Sequence, residues 1–255
     1  MLGLRNLYRV FNESRASARR HATLAVTGSL PETVKLAQLL DARRDAVGAD
    51  VLLTVAGGPD GGVAVSVSGD AVEDEKTFSL SAITEETVLK ELAPRVAGAL
   101  ENDYLVSLGR GYPALRRAVC EEIIHKNARQ NAVVGALPIP GADMPVITAN
   151  QGRMVLGIAA AYGEEISVER ARELLGVLAT GFGLRAVARQ VVKLVPVGGW
   201  AASAAIGYAG TLAMGRATTL YFERGNKEPD PAERSEILRR AREEAEAFVA
   251  RLHRR

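Results

Sequence analysis

Residues 113–143, PALRRAVCEEIIHKNARQNAVVGALPIPGAD, decide the fold of the second half of this 255-residue chain. Residues 113–136 favour a helix, and Pro113 suits its first turn. Proline and glycine in the following Leu137-Pro-Ile-Pro-Gly segment supply a turn, but the segment is apolar. Because surface turns are ordinarily polar, we expect its side chains to lie against the domain, a bilayer or a partner.

Three further helices are predicted, over residues 144–162, 167–194 and 200–222. Their second long connection, Val195-Pro-Val-Gly-Gly199, is also apolar. The region from 111 to 225 is therefore predicted to form two helical hairpins with apolar connections. The candidate membrane or partner contacts are five apolar residues at the connections and three cations on the preceding helix: Leu137, Ile139, Val195, Val197, Trp200, Arg185, Arg189 and Lys193.

The first half of the chain predicts a small α/β domain over residues 22–108. Apolar runs predict strands at 21–27, 50–56, 63–67 and 77–81, and a glycine-rich turn joins the second and third. Helical patterns cover 31–46 and 85–100. Thr84 can cap the latter helix, although Thr87 replaces the usual acidic partner of a capping box. The predicted class is α+β: this domain, then the all-α double hairpin, then a C-terminal amphipathic helix.

The two ends of the chain have their own patterns. Residues 1–21 form a basic amphipathic leader, which either lies on an anionic membrane surface or is frayed; Arg5 and Arg9 argue against a signal peptide. Residues 230–255 predict a charged helix that Asp230 caps, with Glu233 three residues later. Its apolar stripe fits either packing on its own domain or pairing with another helix, and we expect the former.

A membrane span is not resolved by the sequence. Between Lys193 and Arg216 there are 22 uncharged residues, which meets the length of a transmembrane helix. Pro196 and two glycines interrupt them, however. The preceding cations are spaced by four and share one helix face, where each would cost about 2.5–3.5 kcal/mol at mid-bilayer. We expect amphipathic or re-entrant hairpins, with the cationic face either solvated or against anionic head groups.

No constellation for catalysis, a cofactor or a metal is evident. The three histidines are dispersed, and His125 is expected at the surface. Cys120 is the only cysteine and is assigned a packing role. Asp143 is interpreted as the cap of the second helix. A net charge of +2 gives no argument for nucleic acid. We expect the protein not to be an enzyme.

The turn after the first strand occupies the place of a phosphate-binding loop. Such a loop needs a second glycine five residues after the first, then Lys and Ser or Thr. Residues 28–35 are GSLPETVK, so only Gly28 fits, while Thr33 and Val34 replace the second glycine and the lysine. We therefore expect no nucleotide binding at this turn.

Several motifs resemble the YcjF-like family, a bacterial domain of unknown function found fused to, or encoded beside, small GTPases. They lie within residues 113–224: Lys126 to Asp143, Gln151-Gly-Arg-Met154, Ala160-Ala-Tyr-Gly163, Gly183 to Arg189, Lys193 to Gly199 and Gly215 to Glu223. The resemblance implies a membrane protein that works with a GTPase. It leaves open whether residues 22–108 are a shortened, degenerate G-like domain or an unrelated small domain.

Two functions follow as hypotheses. The first is a non-enzymatic accessory protein at the cytosolic side of the membrane, acting with a partner GTPase. The second is a soluble cytoplasmic adaptor whose apolar connections are buried in its own core or in a homo-oligomer. No nucleic-acid partner is expected under either hypothesis.

Overall fold

A computed structural model describes residues 21–58, 61–136, 143–165 and 200–252. It divides the chain into two compact units. The sheet unit holds the described residues up to Glu122 together with Ala160–Glu164, and the helical unit holds Ile123–Ala159 and the described residues from 165 onward. A sheet followed by helices confirms the expected α+β class.

The sheet contains four strands in sequence order: β1 (Leu24–Gly28), β2 (Val51–Gly57), β3 (Val63–Ser68) and β4 (Lys76–Leu80). Strands β1 and β2 are parallel, and helix α1 (Pro31–Leu40) forms the crossover connection that a parallel pair requires. The other pairs are antiparallel. The predicted strands are confirmed, and the Gly58 N–H donates to the Gly62 carbonyl at 2.8 Å in the predicted hairpin.

Side chains along each strand point alternately to the two faces of the sheet, one buried and one facing away from the core. In β3, Val63, Val65 and Val67 are buried, whereas the intervening residues point to the other face. On that other face a row of hydroxyls crosses all four strands in register: Thr27, Thr54, Ser66 and Thr77. The Ser66 and Thr77 hydroxyls are 2.8 Å apart. Because a one-residue slip would invert the faces, this alternation fixes the strand register.

Helix α1 is shorter than predicted. The sequence extends the helical pattern to Ala46, but the helix ends at Leu40 and Asp41 adopts the left-handed conformation. The following residues instead lie along the free edge of β1, where the Val26 N–H donates to the Arg43 carbonyl at 2.9 Å. A tertiary hydrogen bond thus overrides the local helix propensity, and it also covers a sheet edge.

The predicted helix over 85–100 forms in three pieces and ends earlier. They are α2 (Glu85–Thr87), a π-helical turn (Val88–Leu92) and α3 (Ala93–Ala97). Thr84 caps the helix as predicted, accepting from the Thr87 N–H at 3.1 Å. The Thr87 hydroxyl also accepts from the Thr84 N–H at 3.0 Å, so a complete capping box exists where none was expected.

A helix that the sequence did not predict, α4 (Asn102–Gly111), follows. It leads into α5 (Pro113–Ala136), and Tyr112 lies between the two. The Tyr112 hydroxyl accepts a hydrogen bond from the Leu24 N–H at 2.7 Å, which ties this junction to the first residue of β1. The aromatic ring therefore links the sheet to the helical segments of its own unit.

The remaining helices are α6 (Asp143–Ala161), α7 (Trp200–Glu223) and α8 (Pro231–Leu252). Together with α5 they confirm the predicted helices at 113–136, 144–162, 200–222 and from 230 onward. The structure begins α6 at Asp143 itself. The predicted helix over 167–194 lies outside the described residues.

Helix α8 packs on its own domain, as expected. A capping box begins it: the Glu233 N–H donates to Asp230 at 2.9 Å, and the Asp230 N–H donates to Glu233 at 2.8 Å. The first of these bonds lowers the pKa of the Asp230 carboxyl, so this cap is present above the ordinary pKa of aspartate and is lost as the pH falls through the lowered one. Ala241, Ala245 and Val249 are buried on the inner face.

Gly28 is a position where the sheet unit requires glycine. Its φ is +140°, and a β-carbon there would lie 2.3 Å from the Val55 carbonyl oxygen. We expect Gly28→Ala to lower the free energy of unfolding by about 2 kcal/mol or more, because strain and a backbone clash combine.

Gly48→Ala is the matched control. Gly48 also has a positive φ of +65°, but no described atom lies within 4 Å of its β-carbon position. Its loss should stay near the ~1 kcal/mol of the left-handed conformation alone. Urea unfolding of both variants measures the difference, and equal losses would show that the contact with Val55 is unimportant.

Candidate functional site

Most of the residues predicted to contact a membrane or partner lie outside the described residues. These are Leu137, Ile139, Arg185, Arg189, Lys193, Val195 and Val197. Trp200 is the first residue of α7, and its backbone alone is described. These assignments therefore stay predictions. The described residues next to the two apolar connections in sequence belong to α5, α6 and α7.

Helices α5 and α7 approach so closely that glycine is needed at the contact. A β-carbon on Gly135 would lie 2.9 Å from the Ser203 carbonyl oxygen, and one on Gly207 would lie 2.8 Å from the Asn131 carbonyl oxygen. As residue numbers fall along α5 they rise along α7, so the helices are antiparallel. The last turn of α5 therefore lies beside the first turn of α7.

A buried polar cluster joins three helices at this level. The Asn131 side chain is fully buried and donates to the Thr211 hydroxyl at 2.9 Å. Thr211 in turn donates to the Gly207 carbonyl at 2.7 Å. On α6, the Asn150 amide donates to the Asn131 side-chain oxygen at 3.0 Å. Neutral amides and hydroxyls that bond to one another in this way fix the register of the helices.

Apart from Asp143, the first residue of α6, the neighbouring ends of the three helices carry no charged residue. We define the uncharged tip as residues 130–136 of α5, 144–152 of α6 and 200–207 of α7. Asp143 is the only charged residue between 130 and 152. Within the tip, Val133 is 63% exposed and Val146 is 45% exposed, each three residues from the helix end that adjoins the 137–142 connection. Two exposed apolar side chains thus lie on the described ends of α5 and α6.

Arginines mark the boundary of the uncharged tip on α5 and α6. Arg129 is exposed, and its Nε–H donates to the His125 carbonyl at 3.2 Å. Arg153 is half-buried. At 1.5 Å per residue, the seven residues from Arg129 to Ala136 make the tip about 10 Å deep along α5.

His125 is not at the free surface that was expected. It is half-buried, with Nδ1 3.5 Å from the Tyr208 hydroxyl and Nε2 4.0 Å from a Glu244 oxygen. The sequence could not show this, because α8 reaches His125 only by folding back. Arg216 pairs with Glu244 at 2.8 Å, and Tyr208 stacks on Phe248 with ring centroids 4.4 Å apart.

Burial raises the pKa of the Tyr208 hydroxyl, and the negative charge of Glu244 raises it further. Tyr208 is therefore neutral at physiological pH and hydrogen-bonds as a hydroxyl. This group of side chains holds α8 against α5 and α7, which is an architectural role.

The described residues contain no group of three or more His, Cys, Asp or Glu side chains placed to hold a metal ion. Cys120 is fully buried in the sheet unit, as a packing role requires.

Among the helices that the structure describes, none combines the length and apolar character needed to cross a bilayer.

The turn after β1 is tightly packed. Thr33 is fully buried, and its hydroxyl has no hydrogen-bond partner within the described structure. That hydroxyl lies 2.8 Å from the β-carbon position of Gly28, so the two residues close the turn on itself. The expectation that this turn binds no nucleotide stays a prediction.

Sequence analysis did not single out Val133 or Val146, nor the contacts of Gly135 and Gly207. The absence of charge from 130 to 152 apart from Asp143 was visible in the sequence and marks the region. Which valines are exposed depends on the packing of α5, α6 and α7, which no local pattern specifies.

The Asn131 cluster predicts a specific loss of stability. Asn131→Ala removes two hydrogen bonds and leaves the buried Thr211 hydroxyl and the half-buried Asn150 amide without this partner, so we expect a loss of about 1–3 kcal/mol. Gln130→Ala changes the exposed neighbour and should stay within about 0.5 kcal/mol of the parent. Thermal and urea unfolding measure both losses. Equal effects of the two substitutions would show that the Asn131 cluster does not stabilise the fold.

Comparison with known proteins adds one finding. Residues 108–221 match the sequence model of a family described as a domain of unknown function, DUF697. No curated protein matches the chain, and no solved structure matches it. The match covers α5, α6 and most of α7, and it therefore contains the whole uncharged tip. The helical segment that carries the candidate site is, in sequence, similar to an uncharacterised domain family.

Proposed function

We propose that this protein is a non-enzymatic accessory protein that associates with the cytosolic side of a membrane and works with a partner GTPase through its helical unit. The single observation that carries the membrane part is the uncharged tip with its exposed valines. Charged residues make up 24% of the chain, yet Asp143 is the only one among residues 130–152. A helix end without charge is unusual on a surface that faces water alone.

The energetics favour reversible, peripheral binding. Transferring one valine side chain from water to an apolar phase contributes about 1.5–3 kcal/mol when burial is complete. Val133 and Val146 are already partly buried, so each contributes less than that on binding. A cation near an anionic surface, such as Arg129 at the boundary of the tip, adds about 1 kcal/mol. Such terms attach a protein to a surface and leave it free to dissociate.

The GTPase part of the proposal has different support. The motifs that resemble the YcjF-like family lie within residues 108–221, the segment that matches the domain of unknown function, except for the last two residues of the final motif. The turn after β1 departs from a phosphate-binding loop at Thr33 and Val34. The proposal therefore assigns nucleotide hydrolysis to a partner and a positioning role to this chain.

Binding to vesicles tests the membrane part. We expect the full-length protein to sediment with vesicles that contain anionic lipid, and the double variant Val133→Asp, Val146→Asp to lose at least tenfold in partitioning. The change removes apolar area and adds negative charge beside an anionic surface. Both side chains are exposed, so circular dichroism should show an unchanged helix content.

Val47→Asp is the matched control, since Val47 is 80% exposed and belongs to the sheet unit. It should sediment like the parent. Should the parent protein remain in the supernatant and elute as a discrete oligomer, the soluble adaptor would be the better account. Equal binding by the parent and the double variant would show that the uncharged tip does not contact the membrane.

Affinity capture tests the partner. We expect the tagged full-length protein, solubilised in mild detergent, to capture a small GTPase in a manner that differs between GDP and a non-hydrolysable GTP analogue. Nucleotide dependence is the control, because adventitious binding would not follow the state of the bound nucleotide. Capture of further copies of this chain without any GTPase would contradict the proposal and favour the adaptor.

A further inference from the structure

We infer that the outer edge of strand β4 binds an extended, basic segment of a partner protein as a fifth strand of the sheet. This surface belongs to the sheet unit, and the inference does not depend on the proposed membrane association. The chemistry of the edge identifies the partner segment: it is an extended polypeptide that carries lysine or arginine side chains.

The two edges of the sheet differ in what lies beside them. At the β1 edge, the Val26 N–H donates to the Arg43 carbonyl at 2.9 Å, and Arg43 forms a bridge with the strand. At the β4 edge, the described part of the chain contributes no further strand and no such bridge. Thr77 and Ser79 of β4 are exposed there. An open edge of this kind is a template for pairing with another extended chain.

The backbone of Thr77 and Ser79 points away from the sheet. In an antiparallel pair, opposed residues alternate between exchanging hydrogen bonds and exchanging none. The bond from the Gly58 N–H to the Gly62 carbonyl joins opposed residues at the end of the β2–β3 ladder. Counted from this bond, Val65 and its alternate neighbours in β3 bond to β4. The residues of β4 opposite them therefore turn inward, and Thr77 and Ser79 turn their N–H and carbonyl groups outward.

Three of these four outward groups have no hydrogen-bond partner among the described residues: the N–H and the carbonyl of Thr77 and the N–H of Ser79. The fourth, the Ser79 carbonyl, accepts from Arg95 Nη1–H at 3.2 Å, in agreement with its outward direction. A carbonyl oxygen has two lone pairs and can accept a second hydrogen bond. An added strand can therefore exchange main-chain hydrogen bonds with both residues, as in peptide recognition by strand addition.

The charge around β4 favours a basic partner. Residues 70–91 contain seven Asp or Glu and two Lys, a net charge of −5, although the whole chain carries +2. Glu75 directly precedes β4 and Glu85 follows it; both are exposed, and neither forms an ion pair within the described structure. They are available to cationic side chains of an added strand. Two copies of this chain paired through β4 would instead bring like charges together, which disfavours self-association.

A synthetic peptide that alternates lysine with valine or threonine tests the inference on the full-length protein. We expect the backbone amides of Thr77 and Ser79 to exchange rapidly with solvent in the free protein and about tenfold more slowly when the peptide is bound. Affinity for the peptide should fall as salt is added. A peptide with glutamate in place of lysine should bind about tenfold more weakly, because it meets like charge.

Variants of the edge separate the backbone from the side chains. Thr77→Pro removes the outward N–H and places a ring at the edge, and proline is tolerated on an edge strand where the N–H faces solvent. It should weaken peptide binding about tenfold, since main-chain hydrogen bonds supply the affinity of an added strand. Thr77→Ala is the matched control, because it keeps the N–H and should bind like the parent. The double variant Glu75→Lys, Glu85→Lys should bind the lysine peptide more weakly than the parent.

Slow exchange of the Thr77 and Ser79 amides in the free monomer would show that the edge is already covered and would overturn the inference. Equal binding by Thr77→Pro and Thr77→Ala would overturn strand addition at β4, and equal binding of the lysine and glutamate peptides would overturn the basic partner. A peptide-free protein that forms dimers with both amides protected would assign the edge to a second copy instead. Failure of the lysine peptide to bind at low salt would also overturn the inference, whereas sedimentation with vesicles would be unaffected.

Discussion

The close approach of α5 and α7 is the constraint on which the helical unit depends. Where a β-carbon on Gly207 would lie 2.8 Å from the Asn131 carbonyl oxygen, only hydrogen fits between the two backbones. Glycine in a helix is intrinsically unfavourable by up to about 1 kcal/mol relative to alanine. That cost is offset by backbone-to-backbone packing, which larger side chains would prevent. This close approach sets the antiparallel register of α5 and α7. It also sets the position of α6 and the surface on which α8 packs.

This constraint also explains why α5, α6 and α7 are closely packed at the level of the uncharged tip. The space between α5, α6 and α7 is occupied by small side chains and by a short, internally bonded chain of amides and hydroxyls. The distinguishing property of the unit is the surface at its end, which has two exposed valines among uncharged residues and the exposed Arg129 at its boundary.

Local patterns were enough for much of the architecture. The strands, the glycine-rich hairpin, the helices α5 to α8 and the capping by Thr84 and Asp230 all follow from residues close together in sequence. The shortened α1 does not, because its end is decided by a hydrogen bond between Val26 and Arg43. The half-buried setting of His125 was equally hidden, since Tyr208 and Glu244 lie far along the chain. The exposure of Val133 and Val146 required the packing of three helices.

The hydrogen bonds that fix each unit differ greatly in sequence separation, and this bears on the order of folding. Helix α8 is supported by short-range ion pairs, such as Arg239 with Glu243, and can form within microseconds from local contacts alone. The bond between Asn131 and Thr211 spans 80 residues, and that between Leu24 and Tyr112 spans 88. Each bond can form only after a long loop of the chain has closed. The conformational entropy of that loop is lost before any stabilising contact is made. An unfolded full-length chain would therefore form α8 readily and the contact between α5 and α7 last.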